Sequence, residues 1–128
     1  MNWTLLALVM AGGALGAGAR FFLGHYALLH WGDRLPWGTL AANMIGSFAA
    51  GFLFSLLEGR GPMALYWRAF LIVGVLGALT TYSALMLECL LYSRTGRSGL
   101  LVGYLGLTLV SGMALVWIGA RMGGLLRV

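Results

Sequence analysis

Hydroxyl side chains occupy four consecutive positions, Thr80 to Ser83, in the middle of a long apolar stretch. Hydroxyls donate and accept hydrogen bonds, and they are costly in hydrocarbon unless they face a partner, water or an ion. Glycines at Gly74 and Gly77 and the paired β-branched threonines favour a break in a helix at this point. A break would free backbone groups that can bind an ion. A continuous helix, whose threonines bond back to carbonyls one turn earlier, is the alternative.

Three more hydroxyls lie along the last apolar stretch, at Tyr104, Thr108 and Ser111. Their spacing of four and three residues places them on one face of a helix. Such a face can be a polar track for an ion or a ladder of hydrogen bonds between helices. Asn43, in the second apolar stretch, leaves the same choice, because its amide can donate two N–H groups to an anion or join two helices.

Two ionisable residues and one aromatic residue also lie inside apolar stretches. Arg20 lies past the middle of the first stretch, where it can snorkel or pair, or form an electropositive vestibule that attracts anions. Glu88 is near the end of the third stretch and is expected to contact an arginine, or water at the mouth. Tyr82 is too deep for the interfacial aromatic belt, so it packs in the core or offers its ring edge and O–H to an anion.

The elements that carry these residues are long and apolar. Of 128 residues, 61% are hydrophobic and 9% are charged, whereas about a quarter are charged in a soluble domain. Four runs of spanning length predict an all-α integral membrane protein, a single four-helix domain with helices over residues 3–29, 38–57, 66–92 and 99–122. The short connections exclude a large extramembrane domain. The arginines are scattered singly, which is not the footprint of a nucleic-acid-binding surface.

The arginines give no clear orientation in the membrane. With four spans, each side receives four: Arg60, Arg68, Arg121 and Arg127 on one, and Arg20, Arg34, Arg94 and Arg97 on the other. A chain without this bias can insert both ways and form an antiparallel homodimer about an axis in the membrane plane. Insertion in one orientation is the alternative. In such a dimer, carbonyls near Gly77 and Thr80 of both chains could surround one small cation.

Glycine is frequent for a helical chain, with 21 residues. Because small residues let helix backbones approach within a membrane, small residues four positions apart predict helix contacts. These pairs are Gly12 and Gly16, Ser47 and Gly51, Gly99 and Gly103, and Gly119 and Gly123. The unpaired Cys89 is expected to be a small buried hydrophobe.

Three segments, in chain order, resemble the signatures of the Fluc (CrcB-type) fluoride channels. They are Gly12-Gly-Ala-Leu-Gly-Ala-Gly-Ala-Arg-Phe21, Trp37-Gly-Thr-Leu-Ala-Ala-Asn-Met-Ile-Gly-Ser-Phe48, and Gly77-Ala-Leu-Thr-Thr-Tyr-Ser83 with Glu88. The resemblance implies a passive channel, not an enzyme, that exports fluoride across the bacterial plasma (inner) membrane and confers fluoride resistance. It also implies a dual-topology antiparallel homodimer with two fluoride pores and a structural sodium ion at its centre.

The resemblance further implies roles for individual residues. Backbone oxygens of Gly77 and Thr80 would hold the sodium ion, and Arg20 and Glu88 would lie in the vestibule. The residues expected along the fluoride pore are Asn43, Tyr82, Ser83, Leu85, Tyr104, Thr108 and Ser111.

Two departures from the family pattern affect this pore. Family members usually read Thr-Thr-Phe-Ser-Thr-Phe, whereas this chain has Tyr82 and Leu85 at the aromatic positions. Leucine has no aromatic edge, so conductance and halide selectivity at that point stay open. In the last helix, Ser111 is displaced by one position and Val116 replaces a hydroxyl, which shortens the expected track.

Two other functions compete with a channel. A small dual-topology multidrug-resistance-type transporter needs a carboxylate deep in its first helix, and the first 32 residues here contain no Asp or Glu. A non-transporting membrane assembly subunit would need only the glycine packing. Pairing with a different chain would require opposite charge biases, so the arginine tie favours a homodimer.

Overall fold

The computed structural model describes residues 1–127, and its regular elements are all helices. They form four segments that are long and apolar enough to cross a membrane. These are Trp3–Trp31 (α1), Trp37–Leu56 (α2), a third span at Met63–Arg94 that contains α3 to α5, and Ser98–Leu125 (α6). Their ends lie within a few residues of the predicted spans. The chain is therefore all-helical, with four candidate membrane spans.

The third span is not one regular helix. Its parts are α3 (Met63–Trp67), a π-helical stretch (Arg68–Leu76), α4 (Gly77–Leu79) and α5 (Tyr82–Arg94). Between α4 and α5, Thr80 and Thr81 have extended backbone, with φ/ψ of −78°/154° and −148°/124°. The predicted break near the centre of the span is confirmed, and the alternative of a continuous helix is wrong.

Local side-chain chemistry fixes the ends of the helices beside the break and at the N-terminus. The Thr81 hydroxyl accepts a hydrogen bond from the Ala84 N–H at 3.2 Å and so caps α5. Asn2 caps α1 in the same way through the Leu5 N–H, also at 3.2 Å. α1 ends at Trp31 and is capped by Gly32, whose positive φ of 76° glycine adopts without steric cost.

Glycines bring helix backbones into contact at two interfaces. α2 packs on α6, where a Cβ at Gly51, Gly119 or Gly123 would collide with backbone atoms of the facing helix. α1 packs on the π-helical stretch, where a Cβ at Gly12 or Gly16 would collide with backbone carbonyls. The glycines of three predicted pairs therefore lie at close helix contacts.

The fourth predicted pair, Gly99 and Gly103, makes no close helix contact within the described residues of the single chain. A Cβ at either position would have no atom within 4 Å. These glycines lie in the first two turns of α6, beside a surface groove rather than a neighbouring backbone.

Few side chains of the single chain are fully buried. One buried cluster lies beside the break and comprises Ala42, Leu76 and Leu79. A second cluster joins α5 to α6 and comprises Leu85, Cys89 and Tyr104. Cys89 is buried, as predicted. Many large apolar side chains face outward on all four spans, a surface suited to a bilayer or to a second protein chain.

Candidate functional site at the broken helix

Asn43 of α2 pairs with the backbone of the extended segment. Its Oδ1 accepts a hydrogen bond from the Thr81 N–H at 2.8 Å, and its Nδ2 donates to the Thr81 carbonyl at 3.2 Å. Because backbone groups freed at membrane depth need a partner, this pairing stabilises the break. Asn43 therefore joins two helices, which was one of its two interpretations. An amide nitrogen carries two N–H groups, so a second donor remains for another acceptor.

Two carbonyls at the break lose their helical donors. In a continuous helix the Gly77 carbonyl would accept from the Thr81 N–H, which here donates to Asn43. The Thr80 carbonyl would accept from the Ala84 N–H, which here donates to the Thr81 hydroxyl. These two oxygens are the ones predicted to hold a cation, and hard cations favour carbonyl oxygen ligands. The residues present thus fit a bound sodium ion.

Arg20 reaches the same break from α1. Its Nε donates to the Ala78 carbonyl at 3.1 Å, and the side chain is half-buried. Of the two interpretations of Arg20, pairing is confirmed, because the guanidinium binds a carbonyl at the end of α4. Its vestibule role stays a prediction.

A cleft of about 510 Å³ opens between α2, the break and α6. It brings together six of the predicted site residues, which are Asn43, Gly77, Thr80, Tyr82, Leu85 and Thr108. They come from three spans that are distant in sequence. The cleft opens to the outer surface of the chain, where a second chain or lipid would cover it.

Thr108 contributes a hydroxyl that has no partner. Its Oγ1 is buried and makes no hydrogen bond to any group within residues 1–127. A buried, unpaired hydroxyl costs about 1–3 kcal/mol. Ser111, one turn further along α6, differs because its hydroxyl donates to the Leu107 carbonyl at 2.6 Å and it does not line the cleft. Thr108 is therefore the hydroxyl of this pair that has no hydrogen-bond partner within residues 1–127.

The aromatic positions at the break have contrasting environments. Tyr82 lines the cleft and is 76% exposed, so the interpretation of Tyr82 as a core residue is wrong for the single chain. Leu85 also lines the cleft but belongs to a buried cluster. Ser83, between them, is exposed and does not line the cleft.

Glu88 and Tyr104 form a separate polar contact. The Glu88 carboxylate accepts from the Thr39 hydroxyl at 2.6 Å and from the Tyr104 hydroxyl at 2.7 Å. No arginine pairs with Glu88 within residues 1–127, where the ion pair found joins Arg127 to Glu58. The alternative, contact with water at the mouth, stays a prediction. Because Tyr104 is directed to this carboxylate, it lies outside the cleft that holds Thr108.

Comparison with known proteins identifies the family. A sequence model described as "CrcB-like protein, Camphor Resistance (CrcB)" matches residues 7–120. The chain belongs to the CrcB family. Three similar relatives, described below, each bear the name "Fluoride-specific ion channel FluC".

The relative from Xanthomonas axonopodis pv. citri (strain 306) is 52% identical over 121 residues, covering 94% of this chain and 91% of the relative. The one from Xylella fastidiosa (strain 9a5c) is 53% identical over 122 residues, covering 94% and 85%. A more distant relative, from Agrobacterium fabrum (strain C58 / ATCC 33970), is 38% identical over 118 residues, covering 92% and 94%. The similarity to CrcB-family proteins therefore extends through all four spans.

One polar row of this CrcB-family chain was not predicted as a row. Thr39, Asn43 and Ser47 are spaced four residues apart on α2, which places them on one helix face. Thr39 binds Glu88, Asn43 binds the break, and Ser47 lines the cleft. The spacing was a readable signal for Thr39, but its partner Glu88 is on another span and only the fold brings them together.

Proposed function

We propose that the protein is a fluoride-selective passive channel that lets cytoplasmic fluoride leave across the bacterial plasma (inner) membrane. Fluoride is small and holds its water tightly, so a pore must replace that water with N–H, O–H and aromatic-edge donors. The observation that carries the proposal is the buried, unpaired Thr108 hydroxyl in the cleft at the broken helix. The names of the relatives support the choice of ion.

Three residues that line this cleft would donate to the ion. The free N–H of Asn43, the Thr108 hydroxyl and the ring edge and O–H of Tyr82 would contact fluoride in turn. Leu85 lines the same cleft and is part of this proposal, whereas Ser83, Tyr104 and Ser111 lie outside the cleft and their pore roles stay predictions. A fixed row of donors conducts an ion down its gradient, which is why we propose a channel rather than a pump.

We further propose that the working unit is a dual-topology antiparallel homodimer with two pores. The arginine tie permits both orientations, and a two-fold axis in the membrane plane would pair the two broken helices at mid-bilayer. Each copy presents an open cleft and exposed apolar faces that a partner would cover. Two clefts per dimer would give two pores.

In this dimer, the Gly77 and Thr80 carbonyls of both chains would hold a structural sodium ion. The ion would supply positive charge for carbonyls whose helical donors are diverted to Asn43 and Thr81. Arg20 donates a hydrogen bond to the neighbouring carbonyl, that of Ala78, in the same chain. Sodium and Arg20 would together stabilise the extended backbone of Thr80 and Thr81.

Efflux from proteoliposomes tests the proposed function. Purified protein is reconstituted with potassium fluoride inside, a potassium ionophore balances charge, and a fluoride electrode records release without a proton gradient. We expect rapid fluoride release and slow chloride release from matched chloride-loaded vesicles. Equal chloride release, strict dependence on a proton gradient, or no release would contradict the proposal; proton dependence would instead favour a coupled transporter.

A further inference from the structure

Two arginines from different loops line one cleft at one end of the molecule. Arg34 lies between α1 and α2, and Arg97 immediately precedes α6. With Asp33, Leu35 and Leu100 they line a space of about 590 Å³, and both arginines are exposed. Within residues 1–127 the ion pair found is Arg127 with Glu58, so Asp33 does not pair with either guanidinium. The cleft therefore carries net positive charge.

A narrow apolar groove continues from this cleft toward the centre of the helices. It has a volume of about 210 Å³ and shares Leu35 and Leu100 with the charged cleft. Its walls come from the first turns of α2 and α6, including Leu40, Gly99 and Gly103. Because a Cβ at either glycine would meet no atom within 4 Å, the glycines shape open space instead of a helix contact.

Trp31 and Trp37, which end α1 and begin α2, place this region at the membrane surface. Tryptophans are typical of the membrane–water interface. The charged cleft is at this level, and the groove runs from it along two helices that are apolar enough to span the bilayer. A ligand that fills both spaces needs an anionic group at one end and a hydrocarbon chain at the other.

We propose that this composite site binds an anionic phospholipid. Its phosphate lies between Arg34 and Arg97, where guanidinium groups form charge-assisted hydrogen bonds with phosphate oxygens. One acyl chain lies in the apolar groove beside Gly99 and Gly103. A free phosphate would use the cleft but leave the groove empty, so the groove is what selects a lipid. The inference depends on the membrane setting and not on fluoride conduction.

Native mass spectrometry of the purified protein tests this site. The protein in detergent is incubated with phosphatidylglycerol or with phosphatidylcholine of the same acyl chains, and bound lipids are counted. We expect phosphatidylglycerol to be retained at least ten times more than phosphatidylcholine. The Arg34→Gln/Arg97→Gln double variant should lose this preference. Gly103→Leu should lower lipid retention because the leucine side chain would fill the apolar groove.

Matched variants control for charge and for helix substitution. Arg60→Gln/Arg121→Gln removes the same charge at the other end, and Gly106→Leu adds the same side chain on α6 where a Cβ meets open space. Both should retain phosphatidylglycerol like the wild type. If Gly103→Leu does not yield folded protein by circular dichroism, Gly99→Leu takes its place.

Several results would overturn the lipid site. Equal retention of the two lipids, or equal losses in test and control variants, would remove the evidence for it. Complete displacement of the lipid by inorganic phosphate would assign the cleft to a free anion. A change of oligomeric state in Gly103→Leu with unchanged lipid retention would assign the groove to a second protein chain. Fluoride efflux from the same preparations is a separate readout, so failure of either proposal is recognised independently.

Discussion

Asn43 holds the extended segment in place through both atoms of its amide group, one to each backbone group of Thr81. Asn43→Ala would leave that N–H and carbonyl without partners. Since each unpaired buried group costs about 1–3 kcal/mol, we expect the free energy of unfolding to fall by at least that amount. Denaturation of the purified protein in detergent, followed by circular dichroism, measures it.

Ser55→Ala is the control for Asn43→Ala. It also removes a polar side chain from α2, but the Ser55 hydroxyl makes no hydrogen bond within residues 1–127. It should change stability by under about 0.5 kcal/mol. Equal stabilities of Asn43→Ala and the wild type would mean that the amide does not support the break.

Thr108 and Ser111 permit a paired test of which hydroxyl serves the ion. Thr108→Val keeps the shape of the side chain and removes a buried hydroxyl with no protein partner, so stability should hold or rise while fluoride efflux falls at least tenfold. Ser111→Ala removes a hydroxyl already bonded to its own helix, and efflux should stay within twofold of wild type. Efflux assays on equal amounts of folded protein measure both. The reverse order of effects would move the pathway from the cleft to the outer face of α6.

At this scale, the sequence predicted which residue types would be unusual, and the fold decided their partners. The polar residues were found because they are rare in apolar spans. Their contacts, such as Glu88 with Thr39 and Tyr104, join residues from three helices and so depend on packing that no local pattern encodes. Tyr82 is too exposed for a core residue of the single chain, and its position within an apolar stretch did not indicate this exposure.

The four spans and the central break were predictable because hydrophobic length and the Gly–Thr pattern are local signals. The π-helical stretch was not. Residues Arg68–Leu76 are almost uniformly apolar, and a shift of backbone hydrogen bonds by one residue has no composition of its own. Its wider turn accompanies the close approach of α1 at Gly12 and Gly16, which is a tertiary contact.

The contact of α2 with α6 gives a prediction at the same scale. Gly119→Ala places a methyl group against the backbone of α2, so we expect the free energy of unfolding to fall by about 1–3 kcal/mol through overpacking. Alanine is otherwise the better helix former by up to about 1 kcal/mol.

Gly106→Ala is the matched control, since its methyl group would meet open space on the same helix. It should leave stability unchanged or raise it. Denaturant titration of both variants measures the difference. Stabilisation of the protein by both substitutions would show that α2 and α6 do not require a glycine contact.

For the whole molecule, the equal number of arginines on the two sides predicts insertion in both orientations, and this can be measured directly. Asn2 is exposed near the N-terminus, so Asn2→Cys introduces a label site there, while the buried Cys89 makes the wild type a labelling control. With an impermeant maleimide on intact cells, we expect about half of the variant to be labelled and the remainder only after permeabilisation. Labelling of all or none of it from outside would show a single orientation.

The dimer was inferred from the distribution of arginines along the whole chain and from the family resemblance, and no single residue pattern marks the surface that two chains would share. The half-buried break and the open cleft are compatible with that inference. The residues that face a partner cannot be chosen from hydropathy, since lipid-facing and partner-facing surfaces are equally apolar.

Selectivity between halides decides the proposed function, and the reversal potential of the reconstituted protein in a planar bilayer measures it. Sodium fluoride is placed on one side and an equal concentration of sodium chloride on the other. At zero voltage we expect a current carried by fluoride moving from the fluoride side to the chloride side. The reversal potential should lie far from zero, at the voltage that opposes this movement. We expect this result although Leu85 stands in place of an aromatic residue. A reversal potential at zero would mean either that chloride permeates equally or that sodium carries the current, and both would contradict a fluoride-selective pore.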